Sequence, residues 1–490
     1  MNYFRFIPAA VSIVILSFFV AEGADTYDGY TFVFGSNTAR LYDMDKTPVN
    51  TWVLPEYVSA CADLLRDSSI IYMTPAGGDA GENLQGIPLP GGRLQILDWD
   101  GNVTWDYTYA GPDLLPHHDI EPVYRTNNPE EKPTILLVAA TEWGDKIVEL
   151  RPKGTDDADI LWEWKASDHR CTGNCNDSIG VIDESKRTKG SAGTEADVMH
   201  TNNVSYNPVL DQIIINMKGF YEFIVVDHST TTEEARGSTG GICGRGGAIL
   251  YRWGNPDTYG VSGETFFKGQ HGSCWVPLTM PGTSDSIPGG GNFLAVDNEN
   301  ERVVEIECPG DKDGIYPREK GCAFEPEGVL WTYTMELLQP MEGSIQKLPN
   351  GNYFMCTGGF TGKTYVYEVN REKKIVWQLS DFGNSTEACR YAYSYLKGPG
   401  TSNRPGDERK KTLPPIRSIG YSIGRLTVFM HQVPSGARLS VCTLDGRIVI
   451  PPVTANSTAG WYLPCTLPGG LYLCRIQSAT GMHCTRFPVE

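Results

Sequence analysis

Positive charge is scarce in this chain. Lys and Arg number 41 against 59 Asp and Glu, a formal net charge of −18. Nucleic acid and anionic membrane surfaces are therefore poor partners, and an anionic small substrate would need a local basic patch. Long apolar runs are nearly absent. The single one, Phe6–Val20, follows Arg5 and precedes Ala21-Glu22-Gly23, the layout of a secretory signal peptide over residues 1–23. It is too short and too early to favour a transmembrane helix, and no later stretch could span a bilayer. Export to the periplasm, cell surface or medium is the expectation. Histidine is also rare, with eight copies, so any histidine pattern stands out.

What is plentiful is turn chemistry and aromatics: Gly 54, Pro 32 and 11% Phe, Trp and Tyr, as in a turn-rich β protein. A short pattern recurs, namely an apolar strand, an acidic residue, a turn, then a strand bearing tryptophan. Six copies end near Trp52, Trp105, Trp164, Trp253, Trp331 and Trp377. Repetition at roughly 40–50 residues in short strands and turns predicts an all-β, six-bladed β-propeller. The 13 cysteines suit an oxidising compartment, and the spacing predicts local disulfides Cys171–Cys175 and Cys308–Cys322.

Five blades of four strands are expected at about 59–108, 117–165, 200–255, 270–333 and 342–379, blade five with an Asn350-Gly351 two-residue hairpin. Tyr30–Leu54 supplies only outer strands and Cys389–Leu396 only an inner one, so both ends of the propeller region should combine into a sixth blade that closes the ring. The expected layout is thus signal peptide 1–23, propeller 24–396, a polar linker 397–415 and a small β-sandwich-like domain 416–490. Through Leu467–Arg475 and Arg486–Val489 the last part resembles the C-terminal sorting domains of some Gram-negative bacteria, which implies a partner in secretion machinery.

Three histidines recur in register. His118, His200 and His271 each open the innermost strand of a successive blade, so their imidazoles should converge at one mouth of the channel. The same count reaches Ala60 in blade one and Gly343 in blade five, small residues that leave room for a flat ligand. Asn202 shares the strand face of His200, and Lys218 ends the neighbouring strand. Imidazoles, an amide and an ammonium around one pocket suit an anion whose charge shifts during reaction, and histidine can hold a transferred group. Three histidines are also a zinc ligand set, but no carboxylate repeats at the ring position, and Asp119 should point away from the channel. No metal or cofactor is expected. His169, His228, His431 and His483 read as structural. Trp275, Tyr221, Phe360 and Tyr391 are weighed as stacking partners for a ring or as blade core, and Arg390 as a further charge near the pocket.

The motifs His117-His118-Asp119-Ile120, Asp197-Val198-Met199-His200-Thr201-Asn202-Asn203, Gln270-His271 and Asp297-Asn298 resemble the bacterial PAPS-independent arylsulfotransferases over about residues 30–396. The resemblance implies sulfuryl transfer from a phenolic sulfate donor to a phenolic acceptor by a ping-pong route through a sulfohistidine. It makes His271 the nucleophile, with His118 and His200 binding sulfuryl oxygens or assisting proton transfer. Asn202 would hold a sulfuryl oxygen. Lys218 stands where the family has arginine, keeping the charge but losing the bidentate fork. The competing expectations are a non-catalytic surface propeller that binds a glycan or protein, and a histidine-ligated metal hydrolase. Oligomeric state stays open.

Overall fold

The computed structural model describes residues 26–396, apart from 85, 127, 129, 189–193, 336–341, 359–363 and 381–384, and most of the strands between 416 and 489. The expected signal peptide and linker lie outside the described residues. The chain divides into two compact units, Met1–Pro399 and Gly400–Glu490.

The first unit is all-β, built of antiparallel four-stranded sheets, an arrangement consistent with a propeller. Among its described residues the one α-helix is the single turn Thr232–Ala235. Sheet one holds Ala62–Leu64, Ile70–Pro75, Gly92–Leu97 and Val103–Thr108. Sheet two holds Leu115–Val123, Thr134–Ala140, Asp145–Lys153 and Asp157–Lys165, and sheet three Thr201–Asn207, Gln212–Met217, Glu222–Asp227 and Tyr251–Trp253. Sheet four holds Gln270–Trp275, Phe293–Asp297, Arg302–Ile306 and Trp331–Thr334, and sheet five Ser344–Lys347, Tyr353–Thr357, Tyr365–Val369 and Ile375–Ser380. Sheet six joins Tyr30–Phe34, Thr38–Tyr42 and Pro48–Val53 to Ala388–Tyr391 from the far end, with Tyr30 opposite Tyr391.

Strand sequence follows position. Thr134–Ala140 (TILLVAA) is buried at every residue because both faces of an inner strand meet neighbouring sheets. The outermost strand Pro48–Val53 (PVNTWV) is exposed or half-buried except at Trp52, which it buries. The repeated tryptophans join one sheet to the next. Indole Nε1 of Trp52 donates to Asp98 O in sheet one, Trp105 to Asp157 O in sheet two and Trp164 to Gly247 O in the loop leading to the last strand of sheet three, each at 2.8 Å. Trp253 reaches Pro326 O in the loop before the last strand of sheet four at 2.8 Å, and Trp377 reaches Met44 O in a turn of sheet six at 3.2 Å. Trp331 instead stacks on Tyr353 of sheet five, with ring centroids 3.7 Å apart.

Three local expectations are corrected. Cys171 and Cys175 are bonded, but Cys308 and Cys322 are free thiols; Cys308 lies beside the Tyr316 hydroxyl. Arg390 is fully buried, stacked between Phe354 and Trp377 and 3.7 Å from Glu368, so it is core rather than pocket. The hairpin at Asn350-Gly351 is one residue longer than expected: Leu348 N–H bonds Asn352 O, and Gly351 takes φ 86°, a left-handed conformation that favours glycine.

The second unit has two antiparallel sheets. One contains Ile416–Ser422, Arg425–Met430 and Gly460–Pro464; the other contains Ile448–Thr454, Arg438–Thr443, Gly470–Ser478 and Gly481–Val489. Among the described residues of the whole chain, no helix is long and apolar enough to cross a membrane.

Candidate functional site

The innermost strands of sheets two, three and four each break register at the same place. The shifts fall between Pro116 and Ile120, between Thr201 and Asn203, and between His271 and Cys274. Bulges of this kind turn a side chain out of the ladder. His118 takes φ 58° and His200 φ 49°, left-handed values that cost a non-glycine residue strain and that cluster at functional sites. In sheet four the left-handed residue is Gly272 (φ 57°), directly after His271. A Cβ there would lie 2.8 Å from Gly343 O, so the close approach of sheets four and five demands glycine.

These kinks bring the predicted histidines together. The His118 and His200 rings lie 5.1 Å apart, and His271 and Lys218 are near enough to bias the charge on His118. Burial first, then the positive potential of His117, His200, His271 and Lys218, holds His118 well below the usual histidine range. Lys218 follows strand Gln212–Met217 in a 3₁₀ turn and is partly exposed. Asn202 is buried. Its Nδ2 donates to Gln270 O at 2.9 Å and its Oδ1 accepts from Asn216, so it also ties sheet three to sheet four.

His200 and His271 are each held by a residue that sequence reasoning gave no role. His200 Nδ1 is 3.0 Å from Asp197 Oδ2. His271 Nδ1 is 2.7 Å from Asn298 Oδ1, while Asn298 Nδ2 donates to Glu342 O at 2.7 Å. That second bond fixes the amide orientation, so His271 carries a proton on Nδ1 and directs Nε2 inward. Among the described residues Nε2 has no hydrogen-bond partner, and it faces the Glu342 carboxylate at 3.5 Å. Burial would raise Glu342, but the charges of His271, Lys218 and His200 outweigh it and hold the carboxyl below its ordinary value. Glu342, at φ 64°, thus occupies the place beside Gly343 that the sequence count left empty. Its signal was a carboxylate next to the counted position.

Asp119 bridges two sheets: its Oδ2 accepts from Val204 N–H at 2.8 Å and Asn203 Nδ2 at 2.9 Å, clamping sheet two to the innermost strand of sheet three. Trp275 and Tyr391 are core residues, packed on Phe293 and Tyr395; Phe360 lies outside the described residues. His169 bonds Ala235 O, and His228 lies between Glu149 and Asp211. Among the described residues no three His, Cys, Asp or Glu side chains are placed to hold a metal ion.

A cavity of about 300 Å³ adjoins the cluster, lined by Phe34, Tyr57, Val58, Ala60, Leu89 and Pro90 with polar Ser59 and Thr386. It touches the histidines through backbone. Leu89 O accepts from His118 N–H at 3.4 Å, and Pro90 pairs with His117 as an isolated bridge.

No family model matches this chain, and no curated protein does. Solved structures do align with it. They include the periplasmic gluconolactonase of Pseudomonas aeruginosa, at 9% identity over 92% of this chain and 99% of that one, with a TM-score of 0.34. A calcium-binding regucalcin from Agrobacterium tumefaciens aligns at 11% identity over 76% and 95%, with a TM-score of 0.33, and the Dos1 propeller at 11% over 94% and 92%, with 0.28. Similarity at that level carries no argument about this chain's reaction.

Proposed function

We propose that the six sheets are the blades of one closed ring, and that the histidine cluster at its axis makes the protein an exported aryl-sulfate sulfotransferase. Two observations support the ring: the tryptophan contacts pass from each sheet to the following one, and Ala388–Tyr391 pairs with Tyr30–Phe34. The observation that carries the reaction is the meeting of His118, His200, His271 and Lys218 at one place, beside an apolar cavity.

In the donor half-reaction His271 starts as an imidazolium, its Nδ1–H on Asn298 and its Nε2–H toward Glu342; Glu342 takes the Nε2 proton and the freed lone pair attacks sulfur. The S–O bond to the aryl group breaks, and the phenoxide leaves with the electron pair. Lys218 and the imidazoles stabilise sulfuryl oxygens, whose charge spreads in a loose transition state. A phenolic acceptor then loses its proton as its oxygen takes the group from Nε2, and Glu342 hands its proton back to Nε2, which returns the enzyme to its starting state. The aryl ring occupies the cavity beside Ala60. A dry cavity of about 150 Å³ can hold benzene, so the larger one here admits a substituted phenol.

The test is release of a chromogenic phenol from its sulfate ester, with and without a second phenol, in the wild type and in His271→Ala. Acceptor-dependent release that His271→Ala abolishes, with folding intact, is the expected result. Full activity in that variant removes the nucleophile assignment. A wild type inactive on every aryl sulfate, yet able to bind a glycan, favours the binding-module reading, and loss of activity to a chelator favours the metal hydrolase.

A further inference from the structure

Behind His118 lies a second histidine that the mechanism above leaves unused. His117 is fully buried, and its Nδ1 is 2.6 Å from His118 Nδ1. Its other nitrogen, Nε2, is 3.1 Å from Asp145 Oδ1. Asp145 is fully buried too, and its Oδ2 accepts from Thr201 N–H at 3.0 Å. No lysine or arginine lies within ion-pair distance of Asp145 among the described residues.

The direction of each proton follows from the chain of partners. The Asp145 carboxylate can only accept, so His117 presents a proton on Nε2. A second proton on Nδ1 would place a whole charge on a fully buried ring, which burial disfavours. His117 Nδ1 therefore carries a lone pair. Only one proton can lie between the two Nδ1 atoms, and it belongs to His118. That leaves His118 Nε2 as a lone pair facing the cluster. The arrangement has the logic of a carboxylate–imidazole pair orienting its neighbour, with an N–H of a second imidazole in place of a hydroxyl.

We propose that Asp145 and His117 are positioning residues that hold His118 in the Nδ1–H tautomer, so that Nε2 serves as the base for the phenolic acceptor. This rests on the sulfuryl-transfer reading. In the step concerned, the acceptor oxygen bonds to sulfur as its proton passes to His118 Nε2. The S–N bond to His271 breaks, and its electron pair returns to His271 Nε2. His118 afterwards releases its proton to water.

Two substitutions separate positioning from mere support. In Asp145→Asn the Thr201 N–H still needs an acceptor, so the amide oxygen stays there and the NH₂ faces His117. His117 must then accept at Nε2 and donate from Nδ1, which drives the His118 proton to Nε2 and abolishes the base. In His117→Gln the amide oxygen can accept from His118 Nδ1–H while its NH₂ donates to Asp145, so the tautomer survives. We expect Asp145→Asn to slow transfer to the acceptor by about 10⁴-fold, as a wrong tautomer does in a carboxylate–imidazole relay. The single-turnover burst of phenol from a good leaving group stays within about tenfold, because that half-reaction needs no base at His118. His117→Gln should keep both half-reactions within about tenfold of wild type. Histidine nitrogen NMR supplies a readout independent of activity: His118 protonated at Nδ1 in wild type and His117→Gln, and at Nε2 in Asp145→Asn. A wild-type His118 protonated at Nε2, or an Asp145→Asn enzyme with an unimpaired acceptor step, overturns the proposal. A wild type without any sulfuryl transfer ends the sulfotransferase reading, while the NMR result still decides the hydrogen-bond chain.

Discussion

Glu342 changes what the three histidines can do. Without it, His271 Nε2 would face only neutral or positive groups. With it, a proton acceptor stands 3.5 Å from the atom that must give one up. We expect Glu342→Gln to slow the phenol burst by about 10²-fold, the usual size of a lost general base, with little change in affinity for the donor. A stopped-flow burst at saturating donor checks this, and an unchanged burst rate assigns Glu342 a structural role. The histidine register was legible because equivalent positions on inner strands recur by count. Glu342, Asp145 and Asn298 were not: Asn298 stood in a motif without a role, Asp145 lies on another strand of its sheet, and Glu342 enters through a left-handed residue one place before the counted Gly343.

At the scale of elements, the tryptophans differ in a way their repetition hides. Trp105 closes an indole hydrogen bond to the next sheet, whereas the buried Nε1 of Trp331 has no partner among the described residues. Trp105→Phe should cost about 1 kcal/mol beyond the packing change, for one lost hydrogen bond. Trp331→Phe should cost less or stabilise, since it removes an unsatisfied donor and can keep the stack on Tyr353. Denaturant melts of both variants decide the order. The strands were readable from alternation and from turn residues. The free Cys308 and Cys322 were not, because sequence proximity does not report whether two thiols face each other.

For the whole molecule, the inner strands gather carboxylates that burial makes reluctant to ionise. Asp63 is pushed up to about 8 and Asp119 to about 7, and Glu121 and Glu387 rise with them through burial and mutual repulsion. The folded chain thus keeps protons that the unfolded chain releases near pH 4. Their contribution to stability is complete below that pH and is lost as pH rises through about 7 to 8. Glu149 acts oppositely: although burial opposes it, hydrogen bonds from His228, Thr134 and Arg125 hold it at about 2, so its contribution fades only in acid. We therefore expect the melting temperature to fall between pH 5 and pH 8.5, and Asp63→Asn to flatten that fall; a parallel slope in the variant refutes the assignment.

The pairing of Tyr30–Phe34 with Ala388–Tyr391 has a consequence for biosynthesis. The ribosome delivers the first strand long before its partner exists, and meanwhile an apolar edge waits for a mate. Zipping this seam must be among the last events of assembly. Nascent chains halted short of Tyr391 should therefore depend on a holdase, and the finished protein should not.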